Sequence, residues 1–257
     1  MCDTQWRLTN PMTPRSMHIS VIVPAFNEEK LIGETLAHIQ RAQEAFRTLG
    51  WTVELIVCDN NCTDRTAELA RAAGARVVFE PVNQIARARN CAAAVATGDW
   101  LIFVDADSHP SPELFQAVAG QIQSGTCLAG GSTVTFEGYY PKAKLMMRTW
   151  NALSRSFRWL AGSFIFCDAN AFRNMGGFSN ELFASEELEL SKRLKKLARA
   201  ERKKIVILHQ HPILTSTRKF HLYTRREHAW FMLRTILSGG RTLKNSKSCF
   251  TWYDGRR

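Results

Sequence analysis

Hydrophobic and polar positions follow two alternating periods from Met17 onward. The short runs "HISVIVPA", "TVELIVCD", "ARVVFE" and "WLIFVDAD" are rich in β-branched and apolar residues and predict strands. Each is followed by apolar residues at helical spacing, as in "EEKLIGETLAHIQRAQEAF". Four strand-then-helix units predict an α/β protein with a Rossmann-like, mostly parallel central sheet and helices on both faces. Ligands of such sheets bind at the carboxyl ends of the strands.

Local signals predict where several helices begin and end. Thr63 and Gly74 are expected to cap and stop the second helix, and Ser111 with Pro112 suits the first turn of the fourth. After Gly125 the regular alternation weakens. This irregular part contains three predicted strands, "CLAGGSTVTF", "SFIFCDANAF" and "KKIVIL", and two helices, "PKAKLMMRTWNALSRSFRWLAG" and "SEELELSKRLKKLARA", the latter capped by Ser185.

Charge is distributed unevenly over the 257 residues, whose formal net charge is +11. Residues 1–138 hold 10 Lys and Arg against 15 Asp and Glu, whereas residues 139–257 hold 24 against 8. The basic half alone would allow binding to nucleic acid, but no recognised nucleic-acid motif accompanies it and acidic strand ends would repel phosphates. We therefore expect no nucleic-acid partner.

Cysteine usage and hydropathy bear on the compartment. The seven cysteines lie mostly in apolar or helical stretches and show no CxxC pair, which is typical of a reduced, cytoplasmic protein. The longest apolar runs are far shorter than the roughly 20 residues that span a bilayer. We expect a cytoplasmic location, with association at the inner membrane surface left open.

The stretch "LIFVDADSHP" ends a buried strand with two aspartates, Asp105 and Asp107. At an effective dielectric near 20 and about 5 Å separation, their repulsion is roughly 3 kcal/mol, so a positive group is expected nearby. The loop after the first strand, "VPAFNEE", lacks both GxGxxG and GxxxxGK[ST]. Phosphates are therefore expected to be held through a divalent ion bound by aspartate rather than by a glycine loop.

The segments "VPAFNEE", "VCDNNCTDRTAELA", "ARARN" and "FVDADS", in this order and at strand ends, resemble family 2 glycosyltransferases of the GT-A fold. The resemblance covers residues 18 to about 220. It implies inverting transfer of one sugar from a nucleoside diphosphate sugar, UDP being favoured over GDP, to an unknown acceptor with Mn²⁺ or Mg²⁺ as cofactor. It also divides the chain into a flexible tail (1–16), a nucleotide-sugar-binding half (17–138) and an acceptor-binding half (139–257).

The resemblance implies roles for individual residues. Pro24 and Ala25 would border the base, Asp59 would accept from its ring nitrogen, and Asn90 would support Arg87. The implied donor-binding residues are Pro24, Ala25, Asn27, Glu28, Asp59, Arg87, Asp105 and Ala106, and the implied metal ligands are Asp105 and Asp107. Helix capping is an alternative for Asn27 and for Asp64. Arg89 is expected to be a solvated helix residue.

A second acidic pair, Glu186 and Glu187 in "FASEELEL", begins a predicted helix. An inverting transfer needs a base near the acceptor hydroxyl. By resemblance Glu187 takes that role and Glu186 supports the acceptor, although the family usually carries Asp at the position of Glu187. The alternative is that acids in a first turn merely favour the helix dipole, by roughly 0.3 to 1 kcal/mol each.

Several other residues remain open at this stage. His209, His211 or His221 could be a third ion ligand, and Arg218 with Lys219 could close over the diphosphate or be solvated. In "GGFSNELF", Gly176 and Gly177 suit a turn, and Phe178 and Phe183 are expected to pack in the core.

Two stretches, 139–162 and 224–244, mix aromatic with basic residues. Helices of this composition either lie in a membrane interface or pack on the catalytic core. Two other classes of function stay open: a sugar-nucleotide pyrophosphorylase, which would need a Gly-rich loop containing Arg after the first strand, and a non-enzymatic basic protein that binds membranes or nucleic acid.

Overall fold

A mixed β-sheet forms the centre of the molecule. The computed structural model describes residues 16–136, 141–216, 230, 241–245 and 248–249, and only the backbone of residues 141–144. Within these ranges the strands are β1 (His18–Ala25), β2 (Thr52–Asp59), β3 (Arg76–Phe79), β4 (Trp100–Val104), β5 (Ser108–His109), β6 (Cys127–Phe136), β7 (Phe164–Asp168) and β8 (Lys204–Thr215), in the sheet order β3-β2-β1-β4-β7-β6-β8-β5.

Strands β1 to β4 are parallel, so their carboxyl ends meet at one edge. Strand β7 runs antiparallel to both β4 and β6, and β6 is parallel to β8. The predicted mostly parallel sheet is confirmed for the first half of the chain. The reversed β7 brings the residues that precede it, Gly162 and Ser163, to the carboxyl end of β4.

Helices connect the strands and cover the sheet. They are α1 (Ile32–Ala42), α2 (Glu44–Arg47), α3 (Thr66–Ala72), α4 (Ile85–Val95), α5 (Pro112–Gln123), α6 (Pro141–Phe157), α7 (Ala169–Asn174) and α8 (Glu186–Ala200), with a 3₁₀ helix at Arg241–Lys244. The first predicted helix is thus divided into α1 and α2. Strand β8 is longer than expected, and the two-residue β5 has too short a pattern to be recognised.

Alternating side chains of the inner strands are buried on opposite faces. Ile19, Val21 and Val23 of β1 pack in one cluster with α1, α2 and α5, whereas Ile22 packs in a second cluster with α4 and α8. The side chains of β4 alternate between the same two clusters. Burial on both faces explains why these strands read as almost continuous apolar runs.

Two of the predicted helix-terminal residues are confirmed and one is wrong. Ser111 caps α5 as predicted, since its Oγ accepts from the backbone N of Leu114 at 3.2 Å. Gly74 follows α3 with φ +80°, as a stop residue should. The Thr63 cap is wrong, because Asp64 Oδ1 accepts from the backbone N of Thr66 at 3.0 Å instead.

Parts of the sequence predictions fall outside the described residues. They are residues 1–15 of the tail, Arg218, Lys219 and His221, and most of the predicted helix over 224–244. In the ranges that are described, no helix combines the length and apolar character needed to cross a membrane. The six cysteines in these ranges are all unpaired.

Gly130 in β6 offers a test of how tightly the sheet packs. An added Cβ would lie 2.5 Å from Phe166 Cζ and 2.7 Å from the Val206 carbonyl oxygen. Gly130→Ala should therefore lower the free energy of unfolding by about 1–3 kcal/mol through overpacking. In α5, a Cβ added at Gly120 would have nothing within 4 Å. Gly120→Ala should therefore raise the free energy of unfolding by about 0.5–1 kcal/mol. Urea unfolding measures both; equal effects would contradict the packing argument.

Candidate active site

The carboxyl ends of β1 and β2 lie side by side, with Pro24 opposite Cys58 and Ala25 opposite Asp59. The Asp59 carboxylate is fixed because its Oδ1 accepts from the backbone N of Cys62 at 2.8 Å. Cys62 in turn donates from Sγ to the Ala25 carbonyl oxygen at 3.3 Å. Burial raises the pKa of this thiol to about 12, so Cys62 is a packing residue.

The loop after β1 is bound to the loop after β2. Asn27 has φ +52° and its Oδ1 accepts from the backbone N of Thr63 at 2.8 Å. The backbone N of Glu28 donates to Thr66 Oγ1 at 2.7 Å, and that of Glu29 to Asp64 Oδ2 at 3.1 Å. The residue at the cap position of α3 is Arg65. Asp64 accepts from the first backbone N of the helix but does not occupy the cap position, and Asn27 has a structural role in joining the two loops.

The segment after β4 is held by its backbone from three sides. The backbone N of Asp105 donates to the Ser163 carbonyl oxygen at 3.3 Å, and Thr35 Oγ1 donates to the Ala106 carbonyl oxygen at 2.8 Å. The Asp107 carbonyl oxygen accepts from the backbone N of Ser216 at 3.0 Å. Asp105 remains partly accessible, whereas Asp107 is buried.

The positive group near the aspartates is Arg89, and the expectation that this residue is solvated is wrong. Its side chain is 1% exposed. Nη2 donates to Asp105 Oδ1 and to the Gly162 carbonyl oxygen, both at 2.9 Å, and Nη1 donates to Glu186 Oε1 at 2.7 Å. The guanidinium also lies 5.1 Å from the centre of the Phe178 ring. One buried cation therefore joins the two acidic pairs that the sequence singled out.

Charge neutralisation explains how Arg89 is tolerated in the core. Burial alone would lower the pKa of its guanidinium, but the carboxylates of Asp105 and Glu186 raise it. A periodicity signal for its burial exists in the sequence. In a helix Arg89 shares a face with Ala86, Ala92 and Ala93, all of which are buried, while Arg87 points to the other side.

Helix α8 begins with the second acidic pair. Ser185 occupies the predicted cap position, but its side chain makes no cap hydrogen bond and it adopts the left-handed region with φ +62°. Glu186 is 3% exposed and bound to Arg89, while Glu187 stays partly accessible. Burial first, and the neighbouring Glu186 carboxylate second, raise the pKa of the Glu187 carboxyl to about 8.

Gly162 fills the narrow space between these groups. An added Cβ would lie 3.2 Å from Arg89 Nη2 and 3.9 Å from the carboxyl carbon of Glu187. The backbone before β7 thus forms a wall of the site, within contact distance of the Arg89 and Glu187 side chains.

Arg87 and Asn90 do not act together as expected. Arg87 is half-buried and its Nε donates to Glu80 Oε1 at 3.1 Å. Asn90 instead holds the 176–180 loop, since its Oδ1 accepts from the backbone N of Phe178 at 2.9 Å and its Nδ2 donates to the Phe178 carbonyl oxygen at 2.9 Å. Asn90 is a structural residue in this arrangement.

The loop that Asn90 holds has the predicted turn chemistry. Gly176 and Gly177 have φ +76° and +71°. Phe178 is buried and makes an edge contact with Phe103, as expected for core packing, while Phe183 is only half-buried. Gln84, which the sequence did not single out, ties the same region together by donating from Nε2 to the carbonyl oxygens of Asn180 and Leu182 at 2.8 and 2.9 Å.

The ligand chemistry of the aspartates after β4 fits a divalent cation. Asp105 and Asp107 supply carboxylate oxygens, the hard ligands that Mg²⁺ and Mn²⁺ prefer. His209 is exposed and His211 half-buried on β8. In the described ranges, the group of three or more His, Cys, Asp or Glu side chains close enough to share an ion consists of Glu34, His38 and His109. It contains neither histidine of β8 and neither of the two aspartates.

An open α/β sheet with acidic side chains gathered at the carboxyl ends of its parallel strands has the arrangement at which α/β proteins bind their ligands. The model of glycosyl transferase family 2 matches residues 20–180. The chain belongs to that family.

Curated relatives and solved structures agree with the assignment. The chain is 36% identical over 119 residues to 4,4'-diaponeurosporenoate glycosyltransferase of Staphylococcus haemolyticus, covering 42% of this chain and 30% of that one. It is 31% identical over 121 residues to dolichol-phosphate mannosyltransferase of Pyrococcus furiosus, covering 45% and 33%. It therefore spans about a third of the length of these relatives.

Two structural neighbours share the fold. The mannosyltransferase PcManGT of Pyrobaculum calidifontis, solved with GDP-Man and Mn²⁺, has a TM-score of 0.63 at 21% identity, over 92% of this chain and 65% of that one. TarS of S. aureus, residues 1–349 with UDP-GlcNAc, has a TM-score of 0.58 at 20% identity, over 78% and 59%.

Removal of the Arg89 charge tests the buried cluster. Arg89→Met should lower the free energy of unfolding by about 3–5 kcal/mol, because it leaves Glu186 buried without its cation. Arg87→Met, on the same helix but with a 38% exposed side chain, should cost less than about 1 kcal/mol. The double variant Arg89→Met/Glu186→Gln should recover part of the loss. Urea unfolding at neutral pH gives all three values, and similar losses for Arg87→Met and Arg89→Met would refute the assignment.

Proposed function

We propose that this protein transfers a sugar from a nucleoside diphosphate donor to an acceptor hydroxyl with inversion at the sugar carbon. The observation that carries the proposal is the Arg89 cluster, which joins the aspartates after β4 to the start of α8. Neighbours of the same fold are bound to UDP, UDP-GlcNAc and GDP-Man, which supports a UDP or GDP donor. Family membership favours transfer over the pyrophosphorylase alternative.

The donor would lie across the carboxyl ends of β1, β2 and β4. Pro24, Ala25 and Asp59 would contact the base, with the Asp59 carboxylate already oriented by Cys62. Asn27 and Glu28 would shape the loop that borders the donor, and Arg87 at the start of α4 would face the base or the diphosphate. Ala106 would contact the donor between the two aspartates.

A divalent cation, Mn²⁺ or Mg²⁺, would be held by Asp105 and Asp107. Two structural neighbours solved with Mn²⁺ support this choice. When bound, the ion neutralises the diphosphate charge and so stabilises the leaving group. Arg89 Nη2 donates to Asp105 Oδ1 at 2.9 Å, and this hydrogen bond fixes the orientation of the carboxylate.

Glu187 would be the base and Glu186 a supporting residue. Glu187 is the more accessible of the two, while Glu186 Oε1 is engaged by Arg89. As the acceptor oxygen attacks the sugar carbon, the bond from that carbon to the diphosphate oxygen breaks. The acceptor proton passes to the Glu187 carboxylate and the nucleoside diphosphate leaves. A raised pKa suits this role, because a base works best when its pKa lies near the working pH.

Glu187→Gln tests the base. Turnover should fall by roughly 10²–10⁴-fold because the amide cannot take up the acceptor proton, while binding of UDP or GDP with Mn²⁺ should persist. Glu189→Gln is the matched control, since Glu189 lies on the same helix and pairs with Arg193. Release of nucleoside diphosphate measures turnover and calorimetry measures binding. Wild-type turnover in Glu187→Gln would rule out this base.

Asp107→Asn tests the metal site. In the wild-type protein, Mn²⁺ should strengthen binding of UDP or GDP and raise the melting temperature, an effect that a chelator should reverse. Asp107→Asn should lose the Mn²⁺-dependent part. Asp99→Asn is the control, because Asp99 lies just before the other end of β4, where its Oδ2 accepts from the backbone N of His18. Retention of the full Mn²⁺ effect in Asp107→Asn would contradict the proposed metal site.

A further inference from the structure

Helix α6 exposes large apolar side chains on its surface. Half of the large apolar side chains that are exposed in the described ranges lie on this one helix: Leu145, Met146, Leu153 and Phe157. Met146, Leu153 and Phe157 share one face, because they are 7 and 4 residues apart. An apolar stripe of this kind marks a surface that contacts something other than water.

A cavity of about 350 Å³ lies beside this stripe. It is lined by Val134 and Phe136 of β6, by Met146, Met147 and Trp150 of α6, and by the segment 161–163 that precedes β7. The volume falls in the range of sites for small molecules, roughly 300–1,000 Å³. Nearly all of its wall is apolar, so it is suited to hydrocarbon rather than to a sugar.

One residue that lines the cavity, Gly162, lies near the proposed base. Gly162 is the residue whose added Cβ would lie 3.9 Å from the Glu187 carboxyl carbon. A ligand whose apolar portion filled the cavity would therefore bring its polar end next to Glu187. Such a position suits the acceptor rather than the donor, which belongs at the ends of β1 and β2.

The charge around α6 is of one sign. Between Pro141 and Ala161 the sequence has five Lys or Arg and no Asp or Glu. Arg148 and Arg155 are exposed and lie on the side of the helix away from Met146. An apolar face opposed by a cationic face is typical of helices that lie at an anionic lipid surface.

We propose that the cavity binds the hydrocarbon portion of the acceptor and that the acceptor is an anionic lipid. The proposal rests on the proposed function for its orientation toward Glu187. A second copy of the chain, docked through the same apolar stripe, is the alternative occupant, and the oligomeric state of Met146→Glu tests it below.

Dodecyl phosphate, used below its micelle concentration, is the probe. The full-length chain should bind it, and Met146→Glu should weaken binding by at least about tenfold, because a carboxylate then lines an apolar wall. Leu49→Glu is the matched control: Leu49 is 37% exposed, against 51% for Met146, and lies in the turn after α2. It should bind the probe as the wild-type protein does. Met146 is far enough exposed for the variant to fold, which circular dichroism checks.

Two comparisons make the experiment decisive. Dodecyl maltoside should bind more weakly than dodecyl phosphate, and vesicles of phosphatidylcholine should retain the protein only when they also contain phosphatidylglycerol. Equal probe binding by Met146→Glu and wild type would overturn the cavity assignment. Equal binding of the neutral and anionic amphiphiles would overturn the anionic class, and a dimer that Met146→Glu abolishes would assign the surface to self-association.

Binding of UDP with Mn²⁺, measured on the same samples, separates the two proposals. If the probe binds at the cavity but nucleotide does not bind, the proposed transferase function fails while the apolar site stands. If nucleotide binds but the probe does not, the transferase function stands and the lipid acceptor is refuted.

Discussion

The buried guanidinium of Arg89 is the constraint on which the rest of the site depends. Asp105 and Glu186 lie at the end of β4 and the start of α8, and the guanidinium between them lies 2.9 Å from one carboxylate and 2.7 Å from the other. The same cation binds the Gly162 carbonyl oxygen. Three segments that are distant in the chain are thereby fixed relative to one another, and the distance between the proposed metal ligands and the proposed base is set by one side chain.

Room for that side chain comes from the composition of α4. The helix buries Ala86, Ala88, Ala92 and Ala93 against the sheet. Small side chains let the helix approach the strands closely and leave room for the long side chain of Arg89 to reach across toward β7 and α8. Gly162 has the matching property, because a Cβ there would crowd Arg89 Nη2 at 3.2 Å. The arrangement therefore depends on small residues around a large cation as much as on the charges themselves.

The sequence predicted the regular half of the fold well, because strand and helix periods are local properties. It also placed the aspartates after β4 correctly and required a positive group beside them. It failed to identify that group. The partners of Arg89 lie 16, 73 and 97 residues away in the chain, and the alanine periodicity around Arg89 does not show which groups the side chain binds. The predicted Ser185 cap makes no side-chain hydrogen bond. Ser185 adopts a left-handed backbone with φ +62°, which capping preferences do not report.

Arg89 connects two parts of the chain that differ in how regular their structure is. The end of β4 belongs to a parallel sheet whose register fixes every strand end, so the proposed donor-binding residues can be recognised by position. The proposed acceptor side is formed by α6, β6 and the segment before β7, where no repeating unit fixes the geometry. Met146 and Trp150 line the apolar cavity there, whereas Arg89, Asp105 and Glu186 do not. In the proposed transferase, acceptor choice can therefore vary through the cavity lining without any substitution in the buried ion cluster.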